Sequence, residues 1–167
     1  IICVVLNGGS DPALGASTTH TYTDTVNHWA EAYIEYCTQL GIVAGKGNGT
    51  FDPNGTVTAT EAAKMLLVAL GYNANFENMV GSNWAISTNV LANQNKLYAG
   101  LNIDVDAGLT RDNAAQMIHN ALQSPLMERS WSMNQQTGQI IGEKRFQVVL
   151  RFLNGIFQPL IQNLIRK

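Results

Sequence analysis

A repeat constrains this chain more than any other feature. Tyr22–Gly71 reads as a helix, a glycine-rich turn, a short extended piece and a second, capped helix. A weaker copy follows it. Asn83-Trp84-Ala85 matches His28-Trp29-Ala30, and each tryptophan lies 16 residues before a glycine, Gly45 or Gly100. Leu109-Thr110-Arg111-Asp112-Asn113-Ala114-Ala115 then matches Val57-Thr58-Ala59-Thr60-Glu61-Ala62-Ala63 at an offset of 52. Laying Leu6 on Leu70 makes Ile1–Leu6 the end of an earlier copy's second helix, stopped by Asn7-Gly8. Units of this size cannot bury their apolar faces alone, so copies pack on one another and the grooves between them become binding surfaces.

Local signals give the elements. Trp29, Ala30, Tyr33, Ile34, Cys37 and Leu40 fall on one face of a helix that stops at Gly41, with Asp24 or Asn27 as its cap. Gly45, Gly47 and Gly49 alternate with Lys46 and Asn48 in a turn where the backbone can approach another group closely. Phe51 is the expected anchor beneath the following Asp52-Pro53-Asn54-Gly55 turn. Thr58 and Glu61 stand three apart, the spacing of a capping box, ahead of an apolar stripe (Ala62, Ala63, Leu66, Leu67, Leu70) that stops at Gly71. Residues 124–145 carry no pattern. Beyond them, Phe146, Val149, Leu150, Leu153, Phe157, Leu160, Ile161 and Leu164 make an apolar helical stripe flanked by basic residues, read as a packing helix ahead of a membrane-surface one.

Charge is uneven. Residues 1–143 hold five bases against twelve acids, and residues 144–167 hold five bases and no acid. An acidic body disfavours nucleic acid as a partner. Cys3 and Cys37 are too few for a disulfide scaffold, have no metal spacing, and are expected to be buried free thiols. The chain starts at Ile1 inside an apolar run and reads as a piece of something longer. No catalytic signature stands out: Gly45–Gly49 fits neither phosphate-loop pattern, and Asp104-Val105-Asp106 lacks the other ligands of a calcium loop. No catalytic residue, metal ligand or cofactor is therefore expected.

With these residues in view, the chain resembles the S-layer homology (SLH) repeat. The elements that carry the resemblance are Tyr22-Thr23-Asp24, His28-Trp29-Ala30, Gly41-Ile42, the run Gly45 to Pro53, and Thr58-Ala59-Thr60-Glu61. The resemblance implies a mainly α fold, with helix–Gly-rich loop–helix repeats packed as a pseudo-symmetric bundle that is incomplete at the N-terminus. Its parts are a remnant helix and linker (1–21), a repeat (22–82), a degenerate repeat (83–125) and a tail with a basic amphipathic segment (126–167). It also implies an extracellular place on the bacterial cell wall. There it implies non-covalent anchoring through secondary cell-wall polysaccharide, commonly pyruvylated. Self-assembly with other surface-layer subunits on the same fold is the alternative.

A pyruvyl carboxylate asks for a cation and for backbone N–H groups at a helix start, and a sugar ring asks for an aromatic face. The implied ligand-binding residues are Asp24, Trp29, Gly45, Lys46, Gly47, Thr58, Trp84, Thr110 and Arg111. The family's arginine after the capping threonine is Ala59 in the better copy and survives as Arg111 in the poorer one. Lys46 is the expected substitute, a point charge without a bidentate fork.

Overall fold

The computed structural model describes residues 1–133, 136–137 and 140–148. The described chain is mainly helical with little strand. Its helices are α1 (Ile2–Leu6), α2 (Glu31–Gln39), α3 (Ala59–Ala69), α4 (Trp84–Gln94) and α5 (Arg111–Gln123). A single 3-10 turn, Gly81–Asn83, leads into α4. Two strands, β1 (Leu126–Met133) and β2 (Ile140–Val148), form an antiparallel hairpin.

Helix α3 is the central element, packing against α1, α4 and α5. Its start follows from the capping box. The Glu61 N–H donates to Thr58 Oγ1 at 3.2 Å, and the Glu61 carboxylate takes the Thr58 N–H at 2.9 Å. Two orphan donors of the first turn are satisfied within three residues. One face of α3 (Ala59, Ala63, Leu66, Leu67, Leu70) meets Tyr72, Met79, Ala92, Leu97, Met117 and Ala121 in the main core. Each fully buried leucine or methionine there contributes about 1.5–3 kcal/mol of transfer free energy. Another part of α3, Met65 and Val68, packs on a smaller cluster built from Cys3, Cys37 and Ile42. The expected short helix at the N-terminus is present as α1, and Gly8 and Gly9 follow it with positive φ.

Backbone pairing ties the segment ahead of α3 to the segment ahead of α5. The Leu109 N–H donates to the Val57 carbonyl at 2.8 Å, beside an antiparallel bridge between Thr58 and Gly108. The buried Thr60 N–H donates to the Val105 carbonyl at 3.0 Å, and the Thr60 hydroxyl reaches the same oxygen at 3.0 Å. Tyr98 lies against this network, its hydroxyl 2.5 Å from Asn89 Oδ1, and burial pushes its pKa up to about 12.

Three local expectations are corrected. Helix α2 begins at Glu31 rather than at Trp29, and neither Asp24 nor Asn27 caps it through a side chain. Asn27 sits at φ 64, and its N–H donates to Glu31 Oε2 at 3.1 Å. Trp29 therefore leaves the apolar face and stands 82% exposed, while Leu40 is also exposed. The third correction is the hairpin, which occupies a stretch where the sequence shows no pattern. Its first strand is docked: the Met127 N–H donates to the Leu70 carbonyl at 2.7 Å. Gly71, at φ 96, permits this approach, since a Cβ there would lie 2.3 Å from the Met127 carbonyl oxygen. Phe146, expected to open a helical stripe, lies in β2 opposite Glu128. The remainder of that stripe lies outside the described residues.

Candidate functional site

A groove of about 530 Å³ lies beside the glycine loop and α3, with Trp84 of α4 at its edge. One wall is the stretch Gly41 to Lys46, the next is Phe51 to Val57, and the floor is Glu61, Lys64 and Met65 of α3. Ala74, Val80, Gly81 and Trp84 close the far side. Of the nine expected site residues, the groove lining gathers Gly45, Lys46 and Trp84. It also presents Glu61, expected only as a capping residue, and Lys64, which no sequence pattern singled out.

The glycine loop is shaped by what lies beneath it. Tyr22 is buried, and a Cβ on Gly45 would fall 2.4 Å from its ring and 2.5 Å from the Thr50 carbonyl oxygen. Gly45 is therefore required by packing, whatever else passes over it. Tyr22 meets Phe51 with ring centroids 5.3 Å apart, which is how Phe51 anchors the loop. Asp24 fastens the same loop from the other side. Its two carboxylate oxygens accept the N–H groups of Phe51 (2.8 Å) and Asp52 (2.7 Å). Burial acts to raise the Asp24 pKa, but the bonds from Phe51 and Asp52 outweigh it and hold the carboxyl below its usual 3.8. Asp24 thus acts as a clamp on the loop, with both its oxygens committed to backbone.

The charges in the groove differ in their commitments. Lys46 is exposed, and its Nζ stands 3.8 Å from Glu61 Oε1, a loose surface pair of small energetic value. Lys64 is half-buried, and its Nζ lies 5.4 Å from the centroid of the Trp84 ring. Burial lowers the Lys64 pKa from the ordinary 10.5. An aromatic face and a partly dehydrated ammonium side by side form a surface suited to an anionic group carried on an apolar ring.

The other expected residues lie outside the groove lining. Trp29 is exposed next to His28, with ring centroids 5.7 Å apart. Gly47 makes a turn at φ 90 with open space around it. Thr58 and Thr110 cap α3 and α5, each hydroxyl accepting a backbone N–H at 3.2 Å. Arg111 is exposed in the first turn of α5. Lys64 was missed because its value depends on Trp84, 20 residues further along the chain. The available signal was a lysine set between Ala63 and Met65 on an otherwise apolar helix.

The described fold is a small, mainly helical module with one groove that gathers two lysines and a tryptophan. Residues 21–63 match the family model of the S-layer homology domain. The chain is 30% identical over 102 residues to a cell surface protein of Thermoanaerobacter kivui, a match that covers 61% of this chain and 12% of that protein. It is 35% identical over 60 residues to cell surface glycoprotein 1 of Acetivibrio thermocellus, covering 35% of this chain and 3% of the glycoprotein. It is also 34% identical over 53 residues to an uncharacterized cell wall amidase of Bacillus anthracis, covering 32% of this chain and 10% of the amidase. The chain thus spans a small fraction of the length of each of these relatives. No solved structure matches it significantly. The domain and the surface-protein relatives indicate an extracellular location at the cell wall or surface layer, and a role in cell-surface anchoring.

Proposed function

We propose that this chain anchors a surface protein non-covalently to the bacterial cell wall by holding an acidic secondary cell-wall polysaccharide, a pyruvylated one above all, in the groove beside the glycine loop and α3. It carries no catalytic role of its own. Residues 22–82 and 83–125 act as two repeats, preceded by the remnant and linker of residues 1–21 and followed by the tail of residues 126–167. Helices α1, α3 and α5 correspond to one another in a pseudo-symmetric bundle. The observation that carries the proposal is the pairing of Lys64 with the Trp84 ring at 5.4 Å, beside Lys46, in a groove of about 530 Å³. Trp84 would take the apolar face of a sugar ring, and Lys64 and Lys46 the carboxylate. These two lysines stand in for the missing arginine at Ala59. Gly45 and Asp24 keep the loop wall in shape, with Gly47 completing its turn. Thr58 and Thr110 set the helix starts, and Trp29 and Arg111 contribute from outside this groove.

The test is co-sedimentation with purified cell-wall polysaccharide, before and after chemical removal of pyruvate. Retention on the native polymer with loss on the depyruvylated one is the expected result. Failure to bind either form would sink the proposal. One observation favours a second reading, in which the module joins surface-layer subunits. Ile86 and Val90, one turn apart on α4, are 68% and 51% exposed. Concentration-dependent oligomers in polymer-free buffer, abolished by Ile86→Asp, would select that reading.

A further inference from the structure

Cys3 lies on α1 and Cys37 on α2, 34 residues apart in sequence, and their Sγ atoms stand 3.4 Å from one another. Both side chains are buried, in the small cluster that includes Ile42 and is flanked by Ile2, Tyr33, Met65 and Val68. No third group converts the pair into a metal site: among the described residues no three His, Cys, Asp or Glu side chains gather in that way. Helix α1 packs on α2 and α3. The family match and the surface-protein relatives indicate an extracellular location, a setting in which disulfides can form and persist.

We propose that Cys3 and Cys37 form an intramolecular disulfide in the secreted protein, fastening α1 covalently to α2. The oxidant is a disulfide, either of a thiol–disulfide oxidoreductase or of a small molecule. The thiolate of one cysteine attacks a sulfur of that disulfide, breaks its S–S bond and releases one thiolate. The second cysteine, deprotonated in turn, attacks the mixed disulfide and releases the other. The two cysteines lose two protons and two electrons, and the oxidant is reduced to two thiols.

The route follows from burial. In the folded chain burial pushes the Cys37 thiol up to about 12, which leaves almost no thiolate at neutral pH. Exchange therefore takes place while the chain folds, or when α1 lifts off. Once closed, the bond lies where a soluble reductant reaches it only through the same opening.

The experiment uses the full 167-residue chain. Reduced, denatured protein is refolded in a glutathione buffer rich in the oxidised form, then unfolded and alkylated, and its mass is measured. The expected product is a helical monomer lighter than the reduced chain by two hydrogens and carrying no alkyl group. Proteolysis should release one linked pair of peptides containing Cys3 and Cys37, and Cys3→Ser should abolish it. A helical monomer that takes up two alkyl groups overturns the proposal, as do cysteine-linked dimers in place of the internal bridge. Refolding under reductant is the control: a helical product there shows that the fold itself does not depend on the bond, so a missing bridge cannot be blamed on misfolding.

Discussion

Replacing Thr58 with alanine tests whether the α3 start rests on its capping box. Alanine removes the acceptor of the Glu61 N–H, a 3.2 Å bond, and the hydroxyl that donates to Glu61 Oε2 at 3.2 Å, and leaves the 2.9 Å bond from the Thr58 N–H to the Glu61 carboxylate, which uses only backbone and Glu61. Thr58 is partly buried, so the orphaned N–H keeps some access to water. The expected cost is about 1 kcal/mol, which corresponds to a fall of roughly 4 °C in Tm for a domain of this size. Thr110 makes the same 3.2 Å cap bond to the Asn113 N–H, but the residue facing back is asparagine rather than glutamate, and Thr110 is exposed. Thr110→Ala should cost nearer about 0.5 kcal/mol. Thr58→Ser keeps the hydroxyl and should stay within a few tenths of the parent. A Thr58→Ala/Glu61→Ala cycle should show a coupling of at least about 0.5 kcal/mol, because each residue bonds the other's backbone. Urea unfolding followed by far-ultraviolet circular dichroism reads all of these. The reasoning fails if Thr58→Ala lies within the roughly 0.5 kcal/mol scatter of ordinary surface substitutions. It fails equally if Thr58→Ala and Thr110→Ala cost the same.

Three further outcomes follow from other parts of the molecule. Leu67, at 0% exposure in the face of α3 that meets α4 and α5, should cost about 2–5 kcal/mol when cut to alanine, measured by the same unfolding curves. Asp24 has a native pKa below 3.8, so its stabilising bonds are fully present above that pH and are lost as pH falls through the lowered native value. NMR titration of the carboxyl carbon should show the depressed midpoint, and Asp24→Asn should make acid unfolding less steep in that range. Lys64→Met should weaken binding to the acidic polysaccharide by about tenfold, the loss of one charge-assisted contact, and Lys46→Met by less because Lys46 is exposed and already near Glu61. Since burial lowers the Lys64 pKa, affinity should decline as pH rises through a value below 10.5, and titration calorimetry across alkaline pH checks it.

The parts of the fold that the sequence displays are those decided within a few residues. Thr58 and Glu61 specify the α3 start, and Gly71 its end, because cap and stop are local geometry. The link from Asp24 to Phe51 and Asp52 spans 27 and 28 residues, so no local pattern signals that Asp24 clamps a loop rather than capping α2. Trp29 shows the converse error: helical spacing suggests a core face, but the helix starts two residues later and leaves the ring in solvent. The hairpin escaped because Leu126–Met133 does not alternate apolar with polar residues, and its pairing partner lies beyond a turn with no Asn-Gly or similar signature. The groove was half legible. Its glycine loop and Trp84 are repeat landmarks, while Lys64 acquires meaning only when α4 brings Trp84 beside it. Arg111, the cation that the motif favours, stands exposed at the start of α5 and lies outside the groove lining.

The pairing of helix starts bears on how such a module can be cut, copied or inherited. Val57 stands just ahead of α3 and Leu109 just ahead of α5, and the N–H of Leu109 is bonded to the carbonyl of Val57. The Thr60 N–H, buried at the head of α3, is satisfied by Val105, 45 residues further on. A fragment ending at Ser82 would therefore keep all of α3 and still leave that donor unpaired. It would also strip Ala92, Leu97, Met117 and Ala121 from the core around Leu67. Such a fragment should populate a loosened state with α3 frayed at its start.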